Sequence, residues 1–251
     1  SRFVRFDFGE SYKHKRPVSE LLIERLKVTL PLNLISLALI YVFALPIGIY
    51  SATRQNTFGD QASTVVLFVL YSIPSFWAGA MLIMLLTGDP FLTWFPAYQI
   101  ESLDNEGFSI GQKLVDWAWH GFLPVVCLTY GGIAYLARQM RAGLLDVIRQ
   151  DYIRTAKAKG LSEGVVIYKH ALRNSMIPVL TLMAGLLPVL FGGSVIIEQI
   201  FTIEGLGKLA FDAVLDRDYP VIMANLVISG FLTLVGILLT DIAYTVVDPR
   251  I

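Results

Sequence analysis

The chain has 251 residues, of which 55% are hydrophobic and only 16% are charged, and its formal net charge is zero. Soluble domains carry about 25% charged residues, and the apolar excess here is gathered into blocks of about twenty residues. This composition indicates a membrane protein and gives no basis for general attraction to nucleic acid. It also leaves Cys127, which lies in an apolar run, without a second cysteine for an internal disulfide.

Residues 1–27 form a polar segment of mixed charge. The run Pro17-Val18-Ser19-Glu20 has the residue types that start helices, and apolar residues recur through Leu26. The pattern predicts a short amphipathic helix. We expect this helix to lie on the membrane surface, separate from the first span.

Five apolar blocks follow, and they predict an all-α protein with five membrane-spanning helices. A block of about 25 residues would form a helix of about 37 Å, enough to cross a hydrocarbon core of about 30 Å with some tilt. The second block contains Ile73-Pro74 at its middle, where proline frees a backbone carbonyl that a neighbour must satisfy. The predicted spans are 28–52, 62–87, 121–137, 175–200 and 220–247.

The loop at 88–119 joins the second and third spans and is both acidic and rich in aromatic residues. Tryptophan and tyrosine favour the headgroup region, so an interfacial aromatic belt is the simplest interpretation. A contact surface for a partner outside the membrane is the alternative. Its acidic residues are Asp89, Glu101, Asp104, Glu106 and Asp116, against the single basic residue Lys113.

The connection at 138–176 is basic and reads as helix, turn, helix. Asp151 is predicted to cap the first helix, Gly160 to take the positive φ of a helix end, and Ser162 to cap a second helix running to about Leu172. A mere connector would need only a few residues, so this length predicts a docking surface. Its basic residues are Arg138, Arg141, Arg149, Arg154, Lys157, Lys159, Lys169 and Arg173.

The same connection resembles the cytoplasmic coupling loop, the "EAA" loop, of permease subunits in bacterial ABC importers, and in particular the peptide-importing branch. The resemblance implies that the matching residues contact a separate ATPase subunit. The usual Glu-Ala-Ala triplet is replaced here by Arg154-Thr155-Ala156, so the acidic contact made by many permeases is not expected. The matching coupling residues are Tyr152, Arg154, Thr155, Ala156, Ala158, Lys159, Gly160, Leu161, Ser162, His170 and Arg173, followed by Asn174 and Pro178.

The resemblance extends over nearly the whole chain. It includes Phe6–Tyr12, the Gly-Leu-Gly run at Gly205, Asp218-Tyr219-Pro220 and Val247-Asp248-Pro249-Arg250, while the 88–119 loop is similar to the subbranch that imports microcin C and cell-wall peptides. It implies a type I ABC importer permease fold over 28–251, with one further span before Ser1. It also implies a second permease subunit in a heterodimer, cytoplasmic ATP-binding subunits, an extracytoplasmic substrate-binding protein, and the bacterial inner membrane. No cofactor or metal is implied.

The orientation in the membrane depends on where the basic residues lie. Alternation over five spans gives both sides equal numbers of Lys and Arg, so a simple count decides nothing. Basic residues close to span ends count most, and these belong to the 138–176 connection. We therefore expect this connection to be cytoplasmic, and residues 1–27, 88–119 and 201–219 to be extracytoplasmic.

Other functions find little support in the residues. The run Gly205-Leu206-Gly207-Lys208 lacks the spacing of a nucleotide-binding P-loop. The histidines His14, His120 and His170 share no metal-ligand spacing, and only Asp241 is predicted to lie clearly inside a span. The alternatives kept open are an ABC permease for a non-peptide solute such as nickel or an oligosaccharide, a secondary transporter, and an intramembrane enzyme.

Overall fold

The structure is a computed structural model, and it describes residues 8–88, 90–183 and 185–247. Residues 1–7, including the start of the predicted N-terminal segment, lie outside this description, as do Asp89 and the Asp248-Pro249-Arg250 end. In the described residues, regular structure is helical, apart from two isolated β-bridges. The prediction of an all-α protein is confirmed.

The helices follow one another with short connections, except for a longer segment at 87–109. They are α1 (Val18–Thr53), α2 (Phe58–Ser72), α3 (Ser75–Leu86), α4 (Ile110–Ile148), α5 (Asp151–Ala158), α6 (Glu163–Val165), a π-helical turn (Val166–Ala171), α7 (Leu172–Ser175), α8 (Ile177–Met183), α9 (Leu186–Gly192), α10 (Val195–Ile200), α11 (Leu206–Leu215) and α12 (Tyr219–Val247). In these residues, four helical stretches are long and apolar enough to cross a membrane, or five if α2 and α3 count as one bent span.

Helix α1 is one continuous helix of 36 residues, so the prediction of a separate surface helix before residue 28 is wrong. Nothing between Leu26 and Val28 interrupts helical hydrogen bonding, and the polar first turns are stabilised by their own ion pairs. Arg16 lies 3.0 Å from Glu24, and Arg25 lies 2.7 Å from Glu204. The predicted helix start at Pro17–Glu20 is confirmed, because α1 begins at Val18, but the helix continues into the first span.

The second span is broken at Ile73-Pro74. Helices α2 and α3 are bent by 92° at this point, so the stretch is either a broken span or a re-entrant segment. Pro74 has an extended conformation (φ −64°, ψ 137°) directly before α3. Proline lacks the N–H that would continue α2, and its ring disfavours a helical residue before it, which explains the break.

Helix α4 extends far beyond the predicted span 121–137, because it covers 39 residues from Ile110 to Ile148. At 1.5 Å per residue this is about 58 Å, longer than the hydrocarbon core of a bilayer. Its first residues were predicted to belong to the acidic loop, and its last residues were predicted to belong to the basic connection. Polar residues such as Asp116 and Arg141 looked like loop residues in the sequence but are helical.

The predicted fourth span corresponds to a candidate span at Val179–Ile200 that contains a break at residues 193–194, and the fifth agrees with its prediction. Helices α8, α9 and α10 divide the fourth span, and Gly193 between the last two has φ +67°. A left-handed residue ends an α-helix, and glycine adopts it without strain. Helix α12 begins at Tyr219, one residue before the predicted start.

The described residues pack into two compact units, each with its own core. The first contains residues 8–37, 73–129 and 188–232, and its core includes Val18, Leu21, Leu209, Val221 and Ala224. The second contains residues 38–72, 130–187 and 233–247, and its core includes Met140, Leu144, Ile153, Val166 and Val179. The predicted docking connection therefore belongs to the second unit.

Candidate functional site

Helix α5 is the centre of the predicted docking surface, and its two faces differ sharply. Ile153 is fully buried and Ala156 is 7% exposed, and both belong to the core of the second unit with Val166 and Ala171. Three residues separate Ile153 from Ala156, so they lie on the same face of the helix. The opposite face is left at the surface while the helix stays anchored.

The predicted coupling residues occupy that surface, with two exceptions. The Arg154 side chain is 75% exposed. Ala156 is buried in the core of the second unit, and His170 is half-buried. The exposed members, which we call the coupling face, are Tyr152, Arg154, Thr155, Ala158, Lys159, Gly160, Leu161, Ser162 and Arg173.

The prediction that Asp151 caps α5 is wrong. Gln150 occupies the cap position with an extended conformation (φ −71°, ψ 150°), and Asp151 is the first helical residue. The Asp151 carboxylate instead accepts a hydrogen bond of 3.4 Å from Arg154. A carboxylate in the first turn still interacts favourably with the positive end of the helix, which explains why acidic residues suit this position.

The turn after α5 agrees with the prediction at its glycine. Gly160 has φ +77°, and a Cβ built on it would meet no atom within 4 Å. Glycine is therefore required by the backbone conformation and not by lack of space. Ser162 is the cap residue of the next helix, as predicted, although its side chain accepts no hydrogen bond there.

The second helix of the connection contains a π-helical turn, which the sequence did not indicate. The turn runs from Val166 to Ala171 and is followed by α7, so helical structure passes the predicted end at Leu172 and reaches Ser175. Wider turns of this kind are rare and occur often at functional sites. His170 lies within the turn.

One side-chain hydrogen bond joins the two ends of the connection. The Asn174 side-chain amide donates to the Tyr152 hydroxyl at 2.9 Å, across 22 residues of sequence. The bond links α7 to α5 on the exposed side, while Ile153 and Ala156 hold the buried side. The helix-turn-helix is therefore held as one body.

An ion pair with a buried carboxylate, which sequence reasoning missed, joins the first part of this connection to α2. Arg141 donates to both carboxylate oxygens of Asp60 at 3.1 Å and to the Ser51 hydroxyl at 2.9 Å. The Ser51 hydroxyl also donates to Asp60, whose side chain is 5% exposed. The sequence signal that could have indicated this pair is Asp60, an acidic residue in the first turn of α2 in a protein with few charges. Arg141 thus stabilises the bundle and is not part of the coupling face.

A second buried carboxylate, Glu198, lies in the first unit. It accepts hydrogen bonds from the Thr29 hydroxyl at 3.1 Å and from the backbone N–H groups of Lys208 at 2.8 Å and Ser194 at 3.3 Å. The sequence placed Glu198 at the edge of the fourth span but could not identify these donors. Glu198 therefore joins α1, α10 and the start of α11.

The remaining motifs suggest no enzymatic chemistry in the described part of the chain. No cluster of three His, Cys, Asp or Glu residues forms a potential metal site there. Cys127 is buried, as expected of a core residue. Gly205 precedes α11 after a turn, and no strand comes before it in the described residues, so the Gly-Leu-Gly run lacks the context of a nucleotide-binding loop. Asp241 is exposed on α12.

The long apolar helices are those of a multi-pass membrane protein, and the basic connection between them is anchored in the core of the second unit. The chain belongs to the family of binding-protein-dependent transport system inner membrane components, which it matches over residues 44–251. The resemblance found in the sequence and the expected location in the inner membrane are thereby confirmed. The chain is a transport subunit of an ABC importer, in which a separate ATPase subunit hydrolyses ATP.

Individual relatives cover nearly the whole chain. The oligopeptide transport system permease protein AppB of Bacillus subtilis (strain 168) is 46% identical over 249 residues, covering 99% of this chain and 77% of AppB. The peptidoglycan transport system permease protein YejB of Agrobacterium fabrum (strain C58 / ATCC 33970) is 36% identical over 250 residues, covering 99% of this chain and 69% of YejB.

Solved structures support the fold. A chain of the MetNI methionine ABC transporter, in an inward facing conformation, aligns with a TM-score of 0.66 at 18% identity, over 91% of this chain and 96% of its own length. A chain of an amino acid ABC transporter with histidines aligns with a TM-score of 0.62 at 15% identity, over 93% and 95% respectively. The predicted importer-permease fold is confirmed.

Proposed function

We propose that this chain is the membrane subunit of an importer that moves peptides or peptide-like compounds into the cytoplasm. The observation that carries the substrate class is the 46% identity with an oligopeptide permease over 99% of the chain. Relatives named for peptidoglycan and for peptides support the same class.

The coupling face contacts the ATPase in this proposal, on the cytoplasmic side. Its support is the anchored amphipathic geometry of α5, in which Ile153 and Ala156 enter the core while Arg154 and Lys159 stay exposed. A partner that pulls on the exposed face moves the core of the second unit with it. ATP drives the alternation only if it binds one conformation of the assembly more tightly than the other.

The other partners are a second, different permease subunit and an extracytoplasmic binding protein. The binding protein docks on the side of the 88–119 and 201–219 loops, which is the side opposite the coupling face in the proposed orientation. Support for this comes from the family, whose description names a binding protein. The two permease subunits together enclose the path of the peptide.

Copurification of the ATPase with the permease pair tests the coupling face. Arg154→Glu combined with Lys159→Glu reverses two exposed charges without touching Ile153 or Ala156. We expect at least a tenfold loss of bound ATPase with unchanged assembly of the two permeases. The matched control, Lys113→Glu, reverses an exposed charge on α4 outside the coupling face and retains the ATPase.

The outcomes separate the two parts of the proposal. Retention of the ATPase by the double variant would refute the coupling face. Uptake by reconstituted transporter of a labelled oligopeptide, a nickel salt and an oligosaccharide tests the substrate class, because uptake of either competitor without peptide uptake would refute peptide import. Uptake that continues without the ATPase would instead indicate a secondary transporter.

A further inference from the structure

A polar cavity of about 460 Å³ lies in the second unit, between the end of α1, α2 and the second half of α4. Ligand pockets in proteins are commonly about 300–1,000 Å³. Two arginines and two tyrosines line it, together with small polar groups and the apolar side chains of Leu67, Ala137 and Ala142. Arg138 is ten residues before the end of α4, about 15 Å along the helix, so this cavity is distinct from the coupling face.

The two arginines of the cavity differ in their partners. The donors of Arg141 are engaged by Asp60 and Ser51, and the Asp60 carboxylate neutralises its charge. In the part of the chain that the structure describes, no ion pair joins Arg138 to a carboxylate. The cavity therefore carries one net positive charge. Arg138 lies one residue beyond the predicted span 121–137, so in the proposed orientation this charge is at the cytoplasmic end of the bundle.

Arg138 is also positioned by an aromatic ring. Its guanidinium carbon lies 5.6 Å from the centre of the Tyr71 ring. A cation over a ring face is attracted by the π electrons, and this attraction does not use up the N–H donors of the guanidinium as a hydrogen bond to an acceptor would. Those groups form a fork that matches the two oxygens of a carboxylate. Among the described residues, Arg138 is therefore positioned by an aromatic ring and not by a carboxylate.

Hydroxyl groups beside Arg138 add to the same chemistry. The Tyr135 hydroxyl accepts a hydrogen bond of 3.1 Å from the Gln139 side chain and keeps its own proton to donate. Tyr135 and Tyr71 are 40% and 52% exposed, so both rings are accessible from the cavity. A cavity lined by this cation and by the Tyr135 hydroxyl is complementary to an anion.

We propose that the Arg138 cavity binds a carboxylate of the transported peptide, in particular its C-terminal carboxylate. This proposal rests on the proposed function. A carrier that accepts many side chains must recognise a group that its cargoes share, and the terminal carboxylate is such a group. The apolar wall of Leu67, Ala137 and Ala142 leaves room for the variable part.

The test uses the complete transporter in liposomes, with its ATPase, both permeases and its binding protein. ATP-driven uptake is measured for a labelled tripeptide and for the same tripeptide with a C-terminal amide. The quantity of interest is the acid-to-amide uptake ratio, compared between wild type and Arg138→Gln. Any preference of the binding protein for the acid or the amide is the same with wild type and with the variant, so it cancels when the two ratios are compared.

We expect Arg138→Gln to lower the acid-to-amide ratio about tenfold, because a charge-assisted pair to the carboxylate is lost while contacts with the amide are not. Arg138→Lys keeps the charge but loses the fork, so an intermediate ratio is expected. Arg16→Gln removes an exposed arginine in the first unit, outside the cavity, and should leave the ratio unchanged. If Arg138→Gln fails to assemble, the ratio of Arg138→Lys decides the question.

An unchanged ratio in the Arg138 variants would overturn the proposal, while absence of peptide uptake by wild type would refute the proposed function itself. Lipid phosphate is the competing anion. Loss of bound phosphatidylglycerol from Arg138→Gln in native mass spectrometry, with an unchanged ratio, would assign the cavity to a lipid headgroup and overturn the carboxylate site.

Discussion

Replacing Glu198 with glutamine removes the negative charge that joins α1, α10 and α11 while keeping nearly the same side-chain shape. Glu198 is 3% exposed. One carboxylate oxygen accepts from the Thr29 hydroxyl and the Ser194 N–H, and the other accepts from the Lys208 N–H. The backbone N–H of Gly207 also faces the carboxylate.

Glutamine cannot satisfy this set, because one of its two polar ends is a donor. In either orientation of the amide, its NH₂ group points at a backbone N–H that has no other acceptor at this place. A buried donor left unsatisfied costs about 1–3 kcal/mol, and bonds to a charged acceptor are the stronger ones, so we expect a loss of about 2–4 kcal/mol. Close packing limits relaxation, since a side chain at Gly205 would meet Thr29 Oγ1 at 2.6 Å.

Thermal unfolding of the purified protein in detergent measures this loss. At about 2–4 °C per kcal/mol for a chain of this size, Tm should fall by about 5–15 °C. Glu24→Gln is the matched control, because the side chains of Glu24 and its ion-pair partner Arg16 are both 49% exposed. Exposed ion pairs contribute about 0–1 kcal/mol. Equal Tm values for the two variants would refute the reasoning.

Two further predictions concern packing and pH. Gly48→Ala places a Cβ 2.7 Å from the Ala137 carbonyl oxygen, and this overpacking should cost about 1–3 kcal/mol and lower Tm. Gly131→Ala is the control, because a Cβ there meets no atom within 4 Å and should leave Tm unchanged. Equal Tm shifts for the two variants would contradict this prediction. Burial raises the pKa of Asp218, but hydrogen bonds from Ser11 and neighbouring backbone N–H groups outweigh it and hold the pKa below the ordinary 3.8. The stability that Asp218 contributes is therefore present above pH 3.8 and lost as pH falls below it. The Tm difference between wild type and Asp218→Asn should shrink over that range, and a constant difference would exclude this linkage.

The sequence predicted backbone conformation correctly where neighbouring residues alone determine it. Gly160 was correctly predicted to take a positive φ, because a helix end favours glycine whatever surrounds it. The cap at Asp151 was wrong, because Gln150 and Asp151 are both compatible with a helix start and packing of Ile153 and Ala156 sets the register. Contacts with residues outside the helix start therefore decide which of two neighbouring residues is the cap.

The length of α4 and the pairing of charges required tertiary contacts. Polar residues at both ends of the apolar block suggested loops, but Asp116 accepts from the Ser102 N–H at 2.8 Å and Arg141 binds Asp60. Such partners, 14 and 81 residues away in the chain, satisfy polar groups that would otherwise end a span. The sequence shows the identity of each residue but not which of them lie close together in the fold.

Hydrophobic blocks alone determined that this chain is a membrane protein made of helices, because the bilayer demands internally satisfied backbone over about twenty apolar residues. The tertiary structure decided which charges are buried in pairs, which stay on the coupling face, and that Arg138 faces a cavity without a described acidic partner. The physical reason is that burial and electrostatic pairing depend on neighbours brought together from distant parts of the chain.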